Sequence, residues 1–390
     1  MIFVSEKKGT AVIDGCYPPP WGGVAYVVKG LLGSCINDEY HLLHYQTGHT
    51  KPETSTRFQN IWREMKLILK LGPYFLKNRN IDIIHIHSSS YDGFWRYSLH
   101  VLISKFFRKK VLFHLHGAEF DSFYASRSGL KKWYIRRIFN TCDGIIALSD
   151  EWKTFLSSLT DPDRIHVVQN AVDVDAYDNP TEVRQEFREE HSIPEDAVIF
   201  LYLGHFIKRK GVPEILESFG EIWKDQGSDG RKTGQAPPDR IFLLFIGSMG
   251  DLTDDVRGFC EENPEMARYL GYVSSEEKIR ALGSSDVLLL PTFAEGLPIV
   301  ILEAMAARLA LITTRVGGIP STVAENANCL YMEPGDAAQL KEKVLAITED
   351  DRLRDAMKDN NIKLVREKFS WNVAGQKVIN VYDIMLGKNK

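Results

Sequence analysis

Val287-Leu288-Leu289-Leu290-Pro291-Thr292-Phe293-Ala294-Glu295-Gly296-Leu297-Pro298-Ile299-Val300-Ile301-Leu302-Glu303-Ala304-Met305-Ala306 reads as a buried parallel strand, a short loop and an apolar helix. Pro298 suits the first turn of that helix, where its missing N–H costs nothing. Glu295 then lies in the loop, and Glu303 a little over one turn into the helix. Between them, the backbone N–H groups of Gly296 and Leu297 open the helix. A helix N-terminus beside a glycine can hold a diphosphate. One carboxylate can then reach the group on one side of that diphosphate, and the other the group on the far side. Sugar, diphosphate and ribose have that layout in a sugar nucleotide.

The chain around this stretch has 390 residues, too long for one average domain, so two are expected. Its 44% hydrophobic and 26% charged residues are those of a soluble globular protein. No apolar run approaches the roughly 20 residues of a membrane-spanning helix. Glu6, Lys7 and Lys8 interrupt the N-terminus before an apolar core forms, so no secretory signal is expected. The five cysteines, Cys16, Cys35, Cys142, Cys260 and Cys329, are scattered and odd in number. They argue for a reducing cytosol and against a zinc site.

A net charge of −4 hides an asymmetry. Residues 1–175 carry a net of +5 and the remainder a net of −9. Within 57–137 there are 16 basic and 5 acidic residues, interleaved with Phe58, Trp62, Tyr74, Phe75, Trp95, Tyr97, Phe106, Phe107, Trp133 and Tyr134. Three readings of this region are open: an anionic bilayer surface, a nucleic acid, or an ordinary solvated basic face.

Short apolar runs alternate with helical lengths throughout. Strands are expected at Thr10–Asp14, Tyr40–Gln46, Ile81–His87, Lys110–His116, Gly144–Leu148 and Ile165–Val168. A second set follows at Val198–Leu203, Ile241–Ile246, Met266–Val273, Val287–Leu290, Ala310–Thr313 and Cys329–Met332. This alternation implies parallel sheets with covering helices and two Rossmann-like α/β domains. The boundary is expected in the polar segment Asp173–Asp196, which holds Asn179-Pro180 and Ile193-Pro194. Lys224–Arg240 has almost no apolar content and is expected to be a surface loop. Phe369–Met385 has the spacing of an amphipathic helix.

The Glu295–Glu303 segment resembles the E-x7-E motif of the retaining glycosyltransferases of family four, which have the GT-B fold. The likeness spans nearly the whole chain and is strongest over 197–335. It implies two Rossmann-like domains facing each other across a cleft. An N-terminal acceptor-side domain would span 1–175 and a C-terminal nucleotide-sugar-binding domain 176–369. A final helix, about 370–390, would cross back to the first domain. It also implies that a sugar moves from a UDP- or GDP-sugar to a hydroxyl, plausibly of a lipid-linked or cell-envelope glycan. Glu303 would hold the ribose and Glu295 the sugar. No cofactor and no metal site are expected in this reading. A cytoplasmic location is implied, with peripheral attachment to the membrane open and no nucleic-acid partner.

Other segments add to the likeness. Pro18-Pro19-Pro20-Trp21-Gly22-Gly23 precedes an apolar helix and is similar to the family's glycine loop near the donor diphosphate. In Gly204-His205-Phe206-Ile207-Lys208-Arg209-Lys210-Gly211, Lys210 matches a lysine that clamps the diphosphate. His205 stands where an arginine usually stands and cannot give its bidentate contact. Its charged form would still be favoured beside a diphosphate, and Lys208 or Arg209 could compensate. His116, at the end of its strand, matches a histidine that contacts the transferred sugar, whereas His85 and His87 read as structural. Ala171, in Gln169-Asn170-Ala171-Val172-Asp173, replaces a family glycine. Tyr272 falls where backbone groups pair with the nucleobase. Val316-Gly317-Gly318-Ile319-Pro320 matches a structural segment. The competing readings are a nucleotide-sugar epimerase, a glycosidase with two carboxylates across one bond, and a catalytically degenerate GT-B scaffold, which the His205 departure would fit.

Overall fold

A computed structural model describes residues 6–18, 22–47, 57–177, 181–227, 240–247 and 250–388. Among the described residues, twelve strands form two separate, wholly parallel sheets. The first contains β1 (Thr10–Gly15), β2 (His41–Gln46), β3 (Ile83–Ser88), β4 (Lys110–Leu115), β5 (Gly144–Ala147) and β6 (Ile165–Val167), in the order β2-β1-β3-β4-β5-β6. The second contains β7 (Val198–Leu203), β8 (Ile241–Ile246), β9 (Ala267–Tyr269), β10 (Val287–Leu290), β11 (Ala310–Thr314) and β12 (Cys329–Met332), in the order β12-β11-β10-β7-β8-β9. The α/β architecture with doubly wound parallel sheets is therefore the one the alternation implied.

Continuous apolar runs become central strands because helices cover both faces of a parallel sheet. β8 (Ile-Phe-Leu-Leu-Phe-Ile) is buried at every position. Its residues divide between two cores, Phe242, Leu244 and Ile246 on one face and Ile241, Leu243 and Phe245 on the other. Each such side chain contributes about 1.5–3 kcal/mol through burial.

The chain divides into two compact units, Met1–Ala171 with Trp371–Lys390, and Val172–Ser370. The polar segment 173–196, where the boundary was expected, begins just after this division. Within it a short 3-10 turn, Val174–Tyr177, and a helix, Thr181–Glu190, pack onto the second unit. Tyr177 and Phe187 are its buried anchors, and buried Arg188 donates to Pro194 O and Ala197 O. Asn179-Pro180 lies outside the described residues. Ala171 is buried and is not among the positive-φ residues, so alanine there carries no strain. The expected strand Met266–Val273 shortens to β9 because Gly271, at φ 72°, turns the chain out. The expected loop 224–240 begins inside the helix Val212–Gly227, and 228–239 lie outside the described residues.

The C-terminal helix, Trp371–Leu386, belongs to the first unit. Tyr382, fully buried, shares a 2.9 Å hydrogen bond with His85 Nδ1 of β3. Tyr40 donates to Asp383 at 2.6 Å, and Lys8 pairs with Asp383 at 2.7 Å. Gly30 faces the Trp371 ring so closely that a Cβ there would lie 2.1 Å from it. Gly30→Ala should therefore lower stability by about 1–3 kcal/mol in denaturant titration, the usual range for overpacking. Gly33→Ala, where the nearest atom is 3.7 Å away, should stay within about 0.5 kcal/mol of wild type.

Candidate functional site: the switch point of the second sheet

In an open parallel sheet, ligands gather at the carboxyl ends of the strands where the winding reverses. In the second sheet that point lies between β7 and β10, which are neighbours although three strands apart in order. The loop after β7 carries His205 and Lys210. The loop after β10 carries Glu295, Gly296, Leu297 and Pro298.

The two loops are tied together through backbone. Phe293 N donates to Arg209 O at 2.9 Å, and Arg209 Nη1 donates to Ala294 O at 3.1 Å. Gly211, at φ 76°, presses on the Pro291 carbonyl, and a Cβ there would lie 2.0 Å from that oxygen. This registration brings Lys210 Nζ onto Glu295 Oε1 as a part-buried ion pair. A second glycine pair supports the loop from the other side. Gly317, at φ 55°, leaves only 1.7 Å between a would-be Cβ and Glu295 O, and Gly318 N donates to Gly296 O at 2.7 Å. Gly317 and Gly318 thus set the path of the Glu295 loop.

The helix is Ile299–Ala306, with Pro298 as its N-cap at ψ 123° rather than a residue of its first turn. Gly296 and Leu297 therefore precede the helix, because a proline in extended conformation delays the first turn. Glu303 is the fifth helical residue and is 5% exposed. Two donors meet on its Oε1: the Tyr177 hydroxyl at 2.9 Å and Lys278 Nζ at 2.6 Å. A carboxylate so buried is costly unless paired and hydrogen-bonded. Neither partner was foreseen, since Tyr177 is 126 residues away in sequence and Lys278 is 25.

His205 is exposed, and its carbonyl accepts from the Tyr202 hydroxyl at 2.7 Å. Arg209, read with Lys208 as able to compensate for the missing arginine, donates through Nη1 to Ala294 O and ties the two loops. Tyr272 is 70% exposed just after β9.

In the first unit, Gly22 caps the helix Gly23–Leu32 in extended conformation, with open space where a Cβ would point. Pro19, Pro20 and Trp21 of that motif lie outside the described residues. His116 follows β4 by one residue. Its Nε2 is 2.9 Å from His87 Nδ1, and its ring stacks on His114 at 4.1 Å. His85 Nε2 is 3.2 Å from His114 Nδ1. Burial pushes all four imidazoles towards the neutral form, His85 and His116 down to about 3. Among the described residues, His85, His87 and His114 also bring three ring nitrogens within 4.8 Å, the one group able to ligate a metal ion. It contains no carboxylate to balance a divalent charge.

The basic region of the first unit is only partly aromatic at its surface. Phe75 and Tyr97 are core residues, and the side chain of Phe58 lies outside the described residues. Trp62, Met65, Leu69 and Leu76 are exposed on the helix Arg57–Lys77, and Leu99, Leu102 and Phe106 on the helix Asp92–Phe106, which packs beside it. Exposed Arg63, Lys66, Lys70, Lys77 and Arg108 lie among them.

A histidine held neutral by folding takes up a proton on unfolding below its ordinary value of 6.5. The folded pKa is depressed, so its stability is intact above 6.5 and is lost as pH falls towards about 3. Each such group steepens the fall by up to about 1.4 kcal/mol per pH unit. The urea midpoint of the first unit should drop between pH 7 and 5, and His114→Gln should flatten that slope by one proton. A slope unchanged by the substitution would disprove neutral burial.

Comparison with known proteins agrees with this architecture. The family "Glycosyl transferases group 1" matches residues 183–364, and "Glycosyltransferase Family 4" matches residues 21–176. The chain is 24% identical over 381 residues to an uncharacterised glycosyltransferase of Methanocaldococcus jannaschii, covering 95% of this chain and 97% of the relative. It is also 24% identical over 387 residues to the N-acetyl-alpha-D-glucosaminyl L-malate synthase of Bacillus anthracis, covering 95% and 96%. Anabaena HepE, solved with UDP, superposes with a TM-score of 0.74 at 14% identity over 96% of this chain and 100% of that one. Two parallel sheets wound in this way, matched along both units, make this chain a GT-B glycosyltransferase of family four, group 1.

Proposed function

We propose that the enzyme transfers a sugar, with retention at the anomeric carbon, from a nucleotide-diphosphate-sugar to a hydroxyl of a glycan or lipid-linked acceptor. The observation that carries this reading is the pairing at the switch point: Glu295 against Lys210, and Glu303 against Tyr177 and Lys278. The UDP bound to Anabaena HepE supports a nucleotide-sugar donor.

In this reading the second unit holds the donor and the first unit most of the acceptor. Glu303, its Oε1 anchored by two donors, meets the ribose hydroxyls through its other oxygen. Lys210, with the backbone of Gly296 and Leu297 before Pro298, neutralises the departing diphosphate, the electrostatic contribution that usually dominates. His205 adds a hydrogen-bond donor there, and the Gly22–Gly23 turn lets backbone approach the phosphates. Lys210 is shared: it balances Glu295 before the donor binds and the leaving charge afterwards. Glu295 hydrogen-bonds sugar hydroxyls and orients the anomeric carbon. His116 is assigned a contact with the transferred sugar, and backbone near Tyr272 pairs with the base. With these groups to take the leaving charge, no divalent ion is required.

Glu303→Ala should weaken nucleotide binding, abolishing the thermal stabilisation that UDP or GDP gives wild type, about 2.7 kcal/mol at 100 times the dissociation constant. Glu295→Ala should bind nucleotide nearly as well but lose about 10²-fold or more in kcat. Equal, small effects of both on binding and turnover would sink the assignment.

The exposed apolar and basic side chains on the two adjacent helices, Arg57–Lys77 and Asp92–Phe106, suit an anionic membrane surface. No helix among the described residues is long and apolar enough to cross a membrane. Peripheral attachment at the cytoplasmic face is therefore proposed. Sedimentation with phosphatidylserine vesicles at low salt should occur for wild type and fall sharply for Leu69→Glu/Phe106→Glu. Equal sedimentation of both, or none of either, counts against it.

A further inference from the structure

At the other end of the second sheet lies a cavity of about 310 Å³, whose lining includes Tyr177, Thr181, Arg184, Arg308, Lys358 and Arg366. Gly283 and Ser285, just before β10, and Ala306 and Ala307, where the helix Ile299–Ala306 ends, complete its floor. It is therefore separate from the loops that carry Lys210 and Glu295, which follow the carboxyl ends of β7 and β10.

Its charge is lopsided. The lining holds four cations and no carboxylate. Asp286 beneath it is paired with Arg184 and Lys358, each at 2.7 Å, and with Arg188 at 3.5 Å. Asp359 pairs with Arg308 at 2.5 Å. The four lining cations thus meet two paired carboxylates, Asp286 and Asp359, in the part of the chain that carries a net of −9. A surplus of two positive charges around a concavity repels itself and favours an anion.

Arg308 adds a second observation. It sits at φ 60°, closing the helix: Arg308 N donates to Met305 O at 3.1 Å and Leu309 N to Ala304 O at 2.9 Å. Glycine or asparagine is preferred in this left-handed closing position. A long cation there costs backbone strain on the order of 1–2 kcal/mol, and its side chain lines the cavity.

The cavity also has a wall in common with the donor site. Tyr177 lines it and donates through its hydroxyl to Glu303 Oε1. Ala307 N donates to Glu303 O at 2.9 Å. An occupant that displaces Tyr177 or the end of this helix therefore acts on Glu303.

We propose that this cavity binds a phosphate-bearing small molecule and that its occupancy tunes donor affinity through Tyr177. The cations and the Thr181 and Ser285 hydroxyls take the phosphate, while Val174 and Ile362 give an apolar wall to a carbon skeleton. The volume is at the lower end of small-ligand sites. The coupling rests on the proposed role of Glu303; phosphate binding does not.

The test uses the full chain at fixed ionic strength, with inorganic phosphate and glycerol 3-phosphate as probes and chloride as control. Wild type should gain about 2–4 °C in Tm with a probe at saturating concentration. Its UDP dissociation constant, from calorimetry, should change about threefold or more. Arg308→Gly, which relieves the strained position and so should fold at least as well, should lose most of both effects, as should Arg366→Gln. Both variants should bind UDP within about twofold of wild type when no phosphate is present. Tyr177→Phe should keep the thermal gain but lose the effect on UDP. A larger gain with glycerol 3-phosphate than with phosphate identifies an ester as the ligand, and equal gains identify the free anion. Equal stabilisation by chloride, or phosphate effects undiminished in Arg308→Gly and Arg366→Gln, overturns the site. Phosphate binding that leaves UDP affinity untouched overturns the coupling alone. Loss of UDP binding in wild type would instead refute the donor-site reading.

Discussion

The approach of Gly211 to the Pro291 carbonyl is the constraint on which the candidate site depends. β7 and β10 are adjacent, so the loops that leave them compete for the same space above the sheet. Only a residue without a Cβ, in the left-handed conformation, lets the turn 204–211 lie flat on the loop that begins at Pro291. Backbone bonds between Arg209 and Phe293 then hold the register. From that register follows the ion pair of Lys210 with Glu295. Gly317 repeats the device on the far side, so the Glu295 loop is confined between two glycine contacts. A carboxylate positioned by backbone packing is pre-organised and needs no rearrangement at the moment of reaction.

The two glutamates are stabilised differently. Glu295 has a lysine from the neighbouring loop, which the proposed reaction would share with the donor diphosphate. Glu303 is more deeply committed, with a tyrosine and a lysine converging on one oxygen. Leaving it buried without them would cost several kcal/mol. The elements that carry these partners, the turn Val174–Tyr177 and the helix that holds Lys278, thereby become part of the proposed donor site. The same turn forms a wall of the basic cavity behind it. The first unit shows the opposite solution to buried polarity: four imidazoles, held neutral by burial, bond to one another and to Tyr382, and His87 Nε2 and His114 Nε2 are buried without a hydrogen-bond partner among the described residues.

Much of the fold was legible because its signals are local. Parallel strands buried on both faces are continuous apolar runs, and all twelve expected strands are present, with Met266–Val273 shortened by the turn at Gly271. Glu295 and Glu303 were legible as a pair because the strand, the Gly-x-Pro loop and the apolar helix fix their separation within one continuous segment. The boundary was expected in the polar stretch 173–196, and the division of the chain falls just before it, at Ala171 and Val172. Phe75 and Tyr97 were read with the surface aromatics although they are core, since a mixed basic and aromatic composition does not say which face of a helix is buried. Arg209 was read, with Lys208, as a cation that could compensate for His205; its bond to the Ala294 carbonyl is a contact no residue pattern announces.

The sequence by itself determined the two α/β layers, the strand–loop–helix that separates Glu295 from Glu303, and the family to which the chain belongs, because each depends on neighbouring residues or on motifs at fixed spacing. Tertiary structure alone decided which distant groups complete those motifs: Lys210 on Glu295, Tyr177 and Lys278 on Glu303, Gly317 under the loop, and the cations gathered around Asp286. Those contacts are set by strand order and by how closely two backbones can approach, and neither is encoded in the identity of any single residue.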